Sequence, residues 1–420
     1  MKTHYQILII GGGTAGIMAG AQLLKKNRSL SIGLIEPADT HYYQPAWTLV
    51  GAGTYSYEKT ARPMKEVMPD GLDWIQDYAA SFDPSAHAVN TRASGTITYD
   101  YLIVCPGLVM EPSMIEGLEE SLGKGVVCSN YTDPEHTYEV MQNFKGGNAL
   151  FTQPTTPIKC GGAPQKIAYL AADNFRRRKI DAEVIFATPG SVIFGVKKVA
   201  NTLHQVIDRY GMHFRPFYAP IKIDAENRRA HFRYVKGDEN QCVVNEDNKL
   251  GEKLTAEGSN TVEIPFDMLH IAPPQAAPRF IRESGLVNDA GWLDVDHQTL
   301  QHNHHGNVFG LGDVAGLPTA KTGAAIRKQV PIVVDNILRL IEHQSIGPMA
   351  YNGYSSCPLV TGYGKMVLAE FDYQQNFLPD PKLKQMLIKD SSKEHWRLWM
   401  LKKYGLPYLY WNKMLKGEAV

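Results

Sequence analysis

The chain opens with an apolar run of strand length, "QILIIG" (residues 6–11), and runs of this kind without alternation are the pattern of a strand buried on both faces. A Gly-rich stretch follows, then helical spacing to about Lys26 and a second apolar run, "SIGLIEP" (31–37), which predicts strand, turn, helix and strand in order. A second unit of the same kind is predicted further on. It comprises strand "NALFT" (148–152), helix "PQKIAYLAADNFRRR" (164–178), strand "EVIFAT" (183–188) and a helix through "VKKVANTLHQVIDRYG" (196–211). The strand-like stretches "APIKIDAENRRAHFRYV" and "TVEIPFDMLHIAPP" flank a polar insertion, residues 236–261, with the composition of a surface hairpin or loop. After "NVFGLGD" a helix is predicted from Ala320 to about Glu342, and an aromatic-rich region closes the chain.

Composition narrows the possibilities. With 420 residues and 44% apolar content the chain is long enough for two or three domains. Its 43 Lys and Arg balance 43 Asp and Glu, so no overall field draws it to a polyanion, and nucleic acid is not an expected partner. Five scattered cysteines (Cys105, Cys128, Cys160, Cys242, Cys357), with no CxxC pair, argue against a disulfide-stapled fold and against a zinc ribbon. His302, His304 and His305 in "QHNHHGN" are explained by a turn before a strand, so no metal is expected. No run reaches the ~20 apolar residues of a membrane-spanning helix, and the glycines within "ILIIGGGTAGIMAGAQLL" argue against a secretion signal.

The candidate chemistry starts at "GGGTAG". Gly11, Gly13 and Gly16 form G-x-G-x-x-G between strand and helix, with Gly12 and Ala15 in the same turn and Glu36 at the end of the second strand. Two of the glycines allow pyrophosphate to approach backbone N–H groups at the helix N-terminus, and Glu36 is placed to accept from a ribose. The alternative is a helix packed closely on a strand. Asp313 in "NVFGLGDVAG" ends an apolar strand. Flavoproteins with two dinucleotide domains carry a similar G-x-G-D, whose aspartate meets the ribityl chain, so the pair of signals points to FAD in the first unit; a capping aspartate is the plainer reading. The matching turn of the second unit, "FATPGSVIFG", lacks G-x-G-x-x-G and leaves little room for a pyrophosphate, so the electron donor is not expected to be a nicotinamide.

Cys160 stands in "PIKCGGAPQK" ahead of a predicted helix start, with Lys159 adjacent and Lys166 nearby. Both cations and the helix terminus should lower its pKa, while Gly161 and Gly162 leave its sulfur uncrowded. Cys357 lies before Pro358 in an apolar setting. Each cysteine, taken alone, is as readily a small buried hydrophobe.

The stretches "HYYQPAWTLVGAG", "PIKCGGAPQK", "IFGVKKVANTL", "MLHIAPP", "VFGLGDVAGLPTAKTGAA" and "YNGYSSCPLVTGY" resemble sulfide:quinone oxidoreductases of the mitochondrial-like type, and the likeness runs from about residue 5 to 416. The resemblance implies an α/β fold of two Rossmann-like dinucleotide-binding domains, as in glutathione reductase, plus a C-terminal membrane-association region. Residues 1–110 with 290–345 would bind FAD, 111–289 would form the second domain with a degenerate nicotinamide site and Cys160, and 346–420 would carry Cys357 and the membrane-binding helices. It implies that Cys160 and Cys357 are the redox pair, bridged when oxidised. Hydrosulfide attacks the bridge and leaves a persulfide on one cysteine, Cys357 adds to the flavin and passes two electrons, and a quinone takes them up. The persulfide sulfur leaves to sulfide, sulfite or a thiol. By the same resemblance Gln44 and Pro45 line the flavin, Ala79 bonds the adenine through its backbone, and Lys321 and Thr322 start a helix aimed at the ring; the charge of Lys321 suits it to stabilise reduced flavin.

Three cysteines remain. Cys105 is expected to pack, Cys128 to pack or to relay sulfur transiently, and Cys242 to be incidental. The C-terminal stretch "KEHWRLWMLKKYGLPYLYWNKMLKG" combines aromatics with six Lys or Arg against one acid. It is expected to form short helices, broken at Gly405 and Pro407, that anchor the enzyme monotopically. The alternative for these aromatics is a dimer interface, hence a homo-oligomer, or a domain core. Without a cleavable signal the cytoplasmic face of an inner membrane is the expected location. The competing functions are a type II NADH:quinone dehydrogenase, a non-enzymatic flavin-based sulfide or persulfide sensor, and a sulfide dehydrogenase coupled to a soluble cytochrome.

Overall fold

The computed structural model describes residues 2–236, 248–256 and 259–419. The strand His4–Ile10 lies between Ile32–Ile35 and Thr96–Val104, parallel to both, in a seven-stranded sheet. Its residues from Ile7 to Ile10 are buried, as the unbroken apolar run requires. Val308–Gly310 joins the same sheet beside Thr96–Val104, so the segment leading to Asp313 ends next to the Gly-rich turn. The first helix runs Thr14–Lys26, and no side chain caps it: Gly13 holds the N-cap position with a backbone conformation open to any residue.

The second unit is a five-stranded sheet, parallel throughout, with Gly147–Thr152 at its centre. The predicted helices appear as Ala163–Arg178 and Lys197–Tyr210. A separate antiparallel sheet holds Tyr218–Asp224, Arg229–Tyr234, Thr261–Pro265 and Lys253–Leu254. The middle of the polar insertion, with Cys242, lies outside the described residues.

Residues after Glu342 divide between the two cores. The hairpin Ser355–Gly362 and Lys365–Phe371 packs on the helix Ala163–Arg178, and Leu398 and Trp399 join the same cluster. Tyr410, Trp411, Met414 and Leu415 instead enter the core of the first unit. The helix predicted from Ala320 begins only at Gly323, because the Thr322 hydroxyl accepts from Ala325 N and fixes the start there.

The C-terminal stretch departs from the expected broken helices. Trp396–Met400 is α-helical, Leu401–Gly405 is a π-helical turn and Leu406–Asn412 is α-helical again, without interruption. Pro407 is the second residue of the last segment, directly after the π turn that Gly405 closes. No helix among the described residues is long and apolar enough to cross a membrane.

Candidate active site

The two cysteines meet. Cys160 lies just ahead of the helix Ala163–Arg178 and Cys357 on the strand Ser355–Gly362, with their sulfurs 3.4 Å apart as free thiols. Cys160 adopts φ +87°, a left-handed conformation that costs a non-glycine residue of order 1–3 kcal/mol and is held by its surroundings. Gly162 explains the close approach, though on the opposite sulfur from the one expected: a Cβ there would stand 2.7 Å from Cys357 Sγ and 2.4 Å from Leu359 Cδ2, while Gly161 faces open space.

The charges also differ from expectation. Lys159 turns away from the thiol and donates to Gln44 Oε1 at 2.5 Å. The ammonium on the dithiol is that of Lys166, 2.9 Å from Cys160 Sγ and buried. Hydrogen bonding from Cys357 and the charge of Lys166 together hold the Cys160 thiol well below its usual range, against the effect of burial. The shared proton and burial push Cys357 up. Lys166 in turn is raised, because the attraction of both sulfurs outweighs its burial. A second buried cation, Lys402, comes from the π turn of the C-terminal stretch; burial, and then repulsion from Lys166, bring it down to about 7. Its Nζ donates to Pro45 O at 2.7 Å. Lys402 escaped the sequence reading, since nothing local distinguishes it from its half-buried neighbour Lys403.

Residues expected to line a flavin are tied to this pair. A parallel bridge joins the backbones of Lys159 and Lys321. Thr322 Oγ1 and Ser355 Oγ are 2.8 Å apart, two residues before Cys357. The Cys160 loop and the Cys357 strand are thus both stitched to the segment after Asp313. Gln44 and Pro45 sit on the single turn Gln44–Ala46. Asp313, Lys321, Thr322 and Gln329 line one small cavity. Burial raises the Asp313 carboxyl against the pull of Lys159 and Lys321. Lys321 is buried, brought down to about 8 by that burial, and its Nζ donates to Asp313 O and Ala315 O while lying 3.8 Å from the Trp292 ring centroid. With its ammonium turned to these carbonyls, the charge expected to face a reduced ring is engaged elsewhere.

The Gly-rich turn has room for a ligand. Gly11 (φ +105°) leaves no space for a side chain, as a Cβ would meet Cys105 O at 2.6 Å, and one on Gly16 would meet Gly11 O at 1.9 Å. Gly13 differs: a Cβ there has nothing within 4 Å, and the uncapped helix N-terminus opens onto that space beside Ala15. Glu36 accepts Gly12 N at 2.7 Å on one oxygen and Ala38 N at 2.8 Å on the other, leaving lone pairs for a hydroxyl. Ala79 begins the strand Ala79–Asp83 on the same sheet and is buried. The open space at a helix terminus and the acid beyond it fit a dinucleotide pyrophosphate and ribose.

In the second unit the far end of the matching turn borders the C-terminal region: a Cβ on Gly195 would stand 2.7 Å from Gln375 Oε1, and Phe194 packs edge-on against Phe371, while Gly190 to Val192 are exposed. Cys105 and Cys128 are both buried in apolar clusters, and burial pushes the Cys128 thiol up to about 12, a setting for packing and not for sulfur relay. His302 is buried, with Nε2 3.2 Å from Leu286 O, and His304 and His305 lie beside it.

Known proteins resemble this chain. Residues 5–140 match the pyridine nucleotide-disulphide oxidoreductase family. The mitochondrial sulfide:quinone oxidoreductase of Mus musculus is 39% identical over 420 residues, covering 99% of this chain and 87% of that protein. That of Dictyostelium discoideum is also 39% identical, covering 100% and 87%. The chain belongs to the sulfide:quinone oxidoreductase family. The crystal structure of the sulfide:quinone oxidoreductase from Aquifex aeolicus shares the fold, with a TM-score of 0.76 at 19% identity over 100% of this chain and 92% of that one. Members of the family are FAD-binding flavoproteins.

Proposed function

We propose that the protein oxidises hydrogen sulfide through the Cys160–Cys357 pair and passes two electrons by way of FAD to a membrane quinone. The observation that carries this reading is the 3.4 Å contact between two cysteines 197 residues apart, with a buried ammonium on one of them. In the oxidised enzyme the two sulfurs form a disulfide. Hydrosulfide attacks the more accessible sulfur, Cys160; the S–S bond breaks, a persulfide forms on Cys160 and its electron pair leaves with Cys357 as thiolate. Lys166 interacts with both sulfurs and so stabilises the charge on either. A thiol, sulfite or second sulfide then attacks the outer persulfide sulfur, releasing it as sulfane sulfur and returning Cys160 to the thiolate its surroundings favour. Bound FAD supplies the two-electron acceptor that this oxidation needs and a route onward to quinone. Gln44, Pro45, Asp313 and Thr322 would hold its flavin end, Gly11 to Gly16 and Glu36 its pyrophosphate and ribose, and Ala79 its adenine.

The second turn, which lacks G-x-G-x-x-G, supports sulfide over NADH as donor. Anaerobic sulfide should bleach the flavin within seconds and decylubiquinone should restore its absorbance, whereas NADH should leave the spectrum unchanged; rapid bleaching by NADH would move the protein to the competing dehydrogenase reading. Bleaching that decylubiquinone fails to reverse would favour a sulfide sensor.

The quinone is reached from one exposed stripe. Trp396, Met400, Tyr404 and Tyr408 stand every fourth residue along the C-terminal stretch and are 59%, 43%, 56% and 59% exposed. In a pure α-helix such positions drift around the axis by roughly 40° every four residues; the wider π turn at Leu401–Gly405 takes up the drift and keeps the stripe on one side. Leu387 borders it, and Arg397 and Lys403 lie over the Trp396 and Tyr404 rings, which suits an interface with anionic headgroups. The opposite face, with Leu398, Trp399 and Lys402, is buried and packs a core, so the membrane reading is confined to the exposed stripe. Replacing Trp396, Tyr404 and Tyr408 together by Ala should abolish co-sedimentation with vesicles containing anionic lipid, while activity with soluble decylubiquinone stays within about threefold of the parent.

A further inference from the structure

Tyr410 is buried in the first unit, far from both cysteines in the chain and unused by the chemistry above. Its hydroxyl lies 2.6 Å from His41 Nε2 and 2.7 Å from Thr14 Oγ1, and His41 Nδ1 lies 3.2 Å from Gly12 O. The hydrogens are fixed by elimination. A carbonyl only accepts, so Nδ1 carries the imidazole proton, Nε2 accepts from Tyr410, and the Tyr410 oxygen accepts from Thr14. Burial brings His41 down to about 4, which keeps the ring neutral and this order intact at neutral pH.

The chain of bonds closes on both neighbours of Gly13. In a trans peptide the C=O and the following N–H point in opposite directions. With Gly12 O drawn to His41, the Gly13 N–H is held pointing the other way. Gly12 N–H is already committed to Glu36, and Thr14 is tied through its side chain. Tyr410 therefore reaches from the C-terminal helix to fix the orientation of the turn whose open face the pyrophosphate needs.

We infer that Tyr410, acting through His41 and Thr14, is a positioning residue for the pyrophosphate of FAD, so that the helix bearing the membrane stripe also holds the cofactor in place. The inference rests on reading the Gly-rich turn as the FAD site. Tyr410→Phe keeps the ring packing against Tyr43 and removes only the hydroxyl. Diluted holoenzyme carrying Tyr410→Phe should release FAD, read as rising flavin fluorescence at 25 °C, about tenfold faster than the parent while its far-UV circular dichroism stays native. Release within twofold of the parent rate would overturn the inference, as would faster release seen only where the circular dichroism shows unfolding. If Tyr410→Phe does not fold, Thr14→Val, which removes the other hydroxyl of the chain of bonds, decides by the same readout. Gly13→Val tests the underlying reading separately. Its backbone tolerates a side chain and the protein leaves space for one, so the variant should fold yet purify with less than about a tenth of the parent's flavin. Normal flavin content in Gly13→Val would displace the site itself, whatever Tyr410→Phe does.

Discussion

Sulfide added anaerobically to Cys357→Ser or Cys160→Ser holoenzyme is expected to reduce the flavin at least about 10³-fold more slowly than in the parent, the scale seen when a reacting nucleophile is removed. Both variants lose the disulfide, so hydrosulfide has no sulfur to attack and no S–S bond to open. Serine is close in size, and the pair lies beside the helix Ala163–Arg178 in a packed cluster, so flavin content and fold should hold. The control is Cys128→Ser. Its thiol sits in the same cluster, wholly buried and held protonated, and flavin reduction should match the parent. Stopped-flow absorbance at the flavin maximum separates these outcomes. Parent-like rates in both Cys160→Ser and Cys357→Ser would end the dithiol mechanism while leaving the fold and the family intact.

Much of this was readable along the chain because it is local. The unbroken apolar run from Ile7 to Ile10, the glycines of the turn and the acid at Glu36 carry their signal within one βαβ unit. The paired cysteine motifs were readable only through resemblance, since 197 residues separate them and no pattern of either predicts the other. What escaped is what depends on distant backbone. Lys402 reaches Pro45 across 357 positions and Tyr410 reaches His41 across 369. Local spacing does not show which of two adjacent lysines turns inward, and here the π turn decides it by shifting the helix phase. The expected effect of Lys159 on Cys160 failed for a related reason: the left-handed backbone at Cys160 turns its side chain away from that of its sequence neighbour, whereas Lys166, six residues further on, is brought back over the thiol by its helix.

Lys166→Met should lower the rate of flavin reduction by sulfide about 10- to 100-fold at pH 7 and recover part of that loss by pH 9. Methionine fills a similar unbranched volume, so the change is one of charge. The sign follows from the thiol. The Lys166 ammonium lowers the pKa of Cys357, the thiolate that must leave when the disulfide opens; without that charge the pKa of this thiol rises and less of it stays ionised at pH 7. Loss of this support slows the attack itself. The acid limb of the pH–rate profile should therefore move to higher pH. Lys402 limits the damage. It is lowered to about 7 by burial and by repulsion from Lys166, so removing Lys166 lets it hold its proton more firmly and supply part of the missing positive charge. Lys166→Met combined with Lys402→Met should then lose more than the product of the two single losses, and a double-mutant cycle measured at pH 7 reads that coupling directly. Strictly multiplicative losses would mean that the two ammonium groups act on the sulfurs independently, and an unmoved acid limb in Lys166→Met would mean that the Lys166 charge does not support the leaving thiolate.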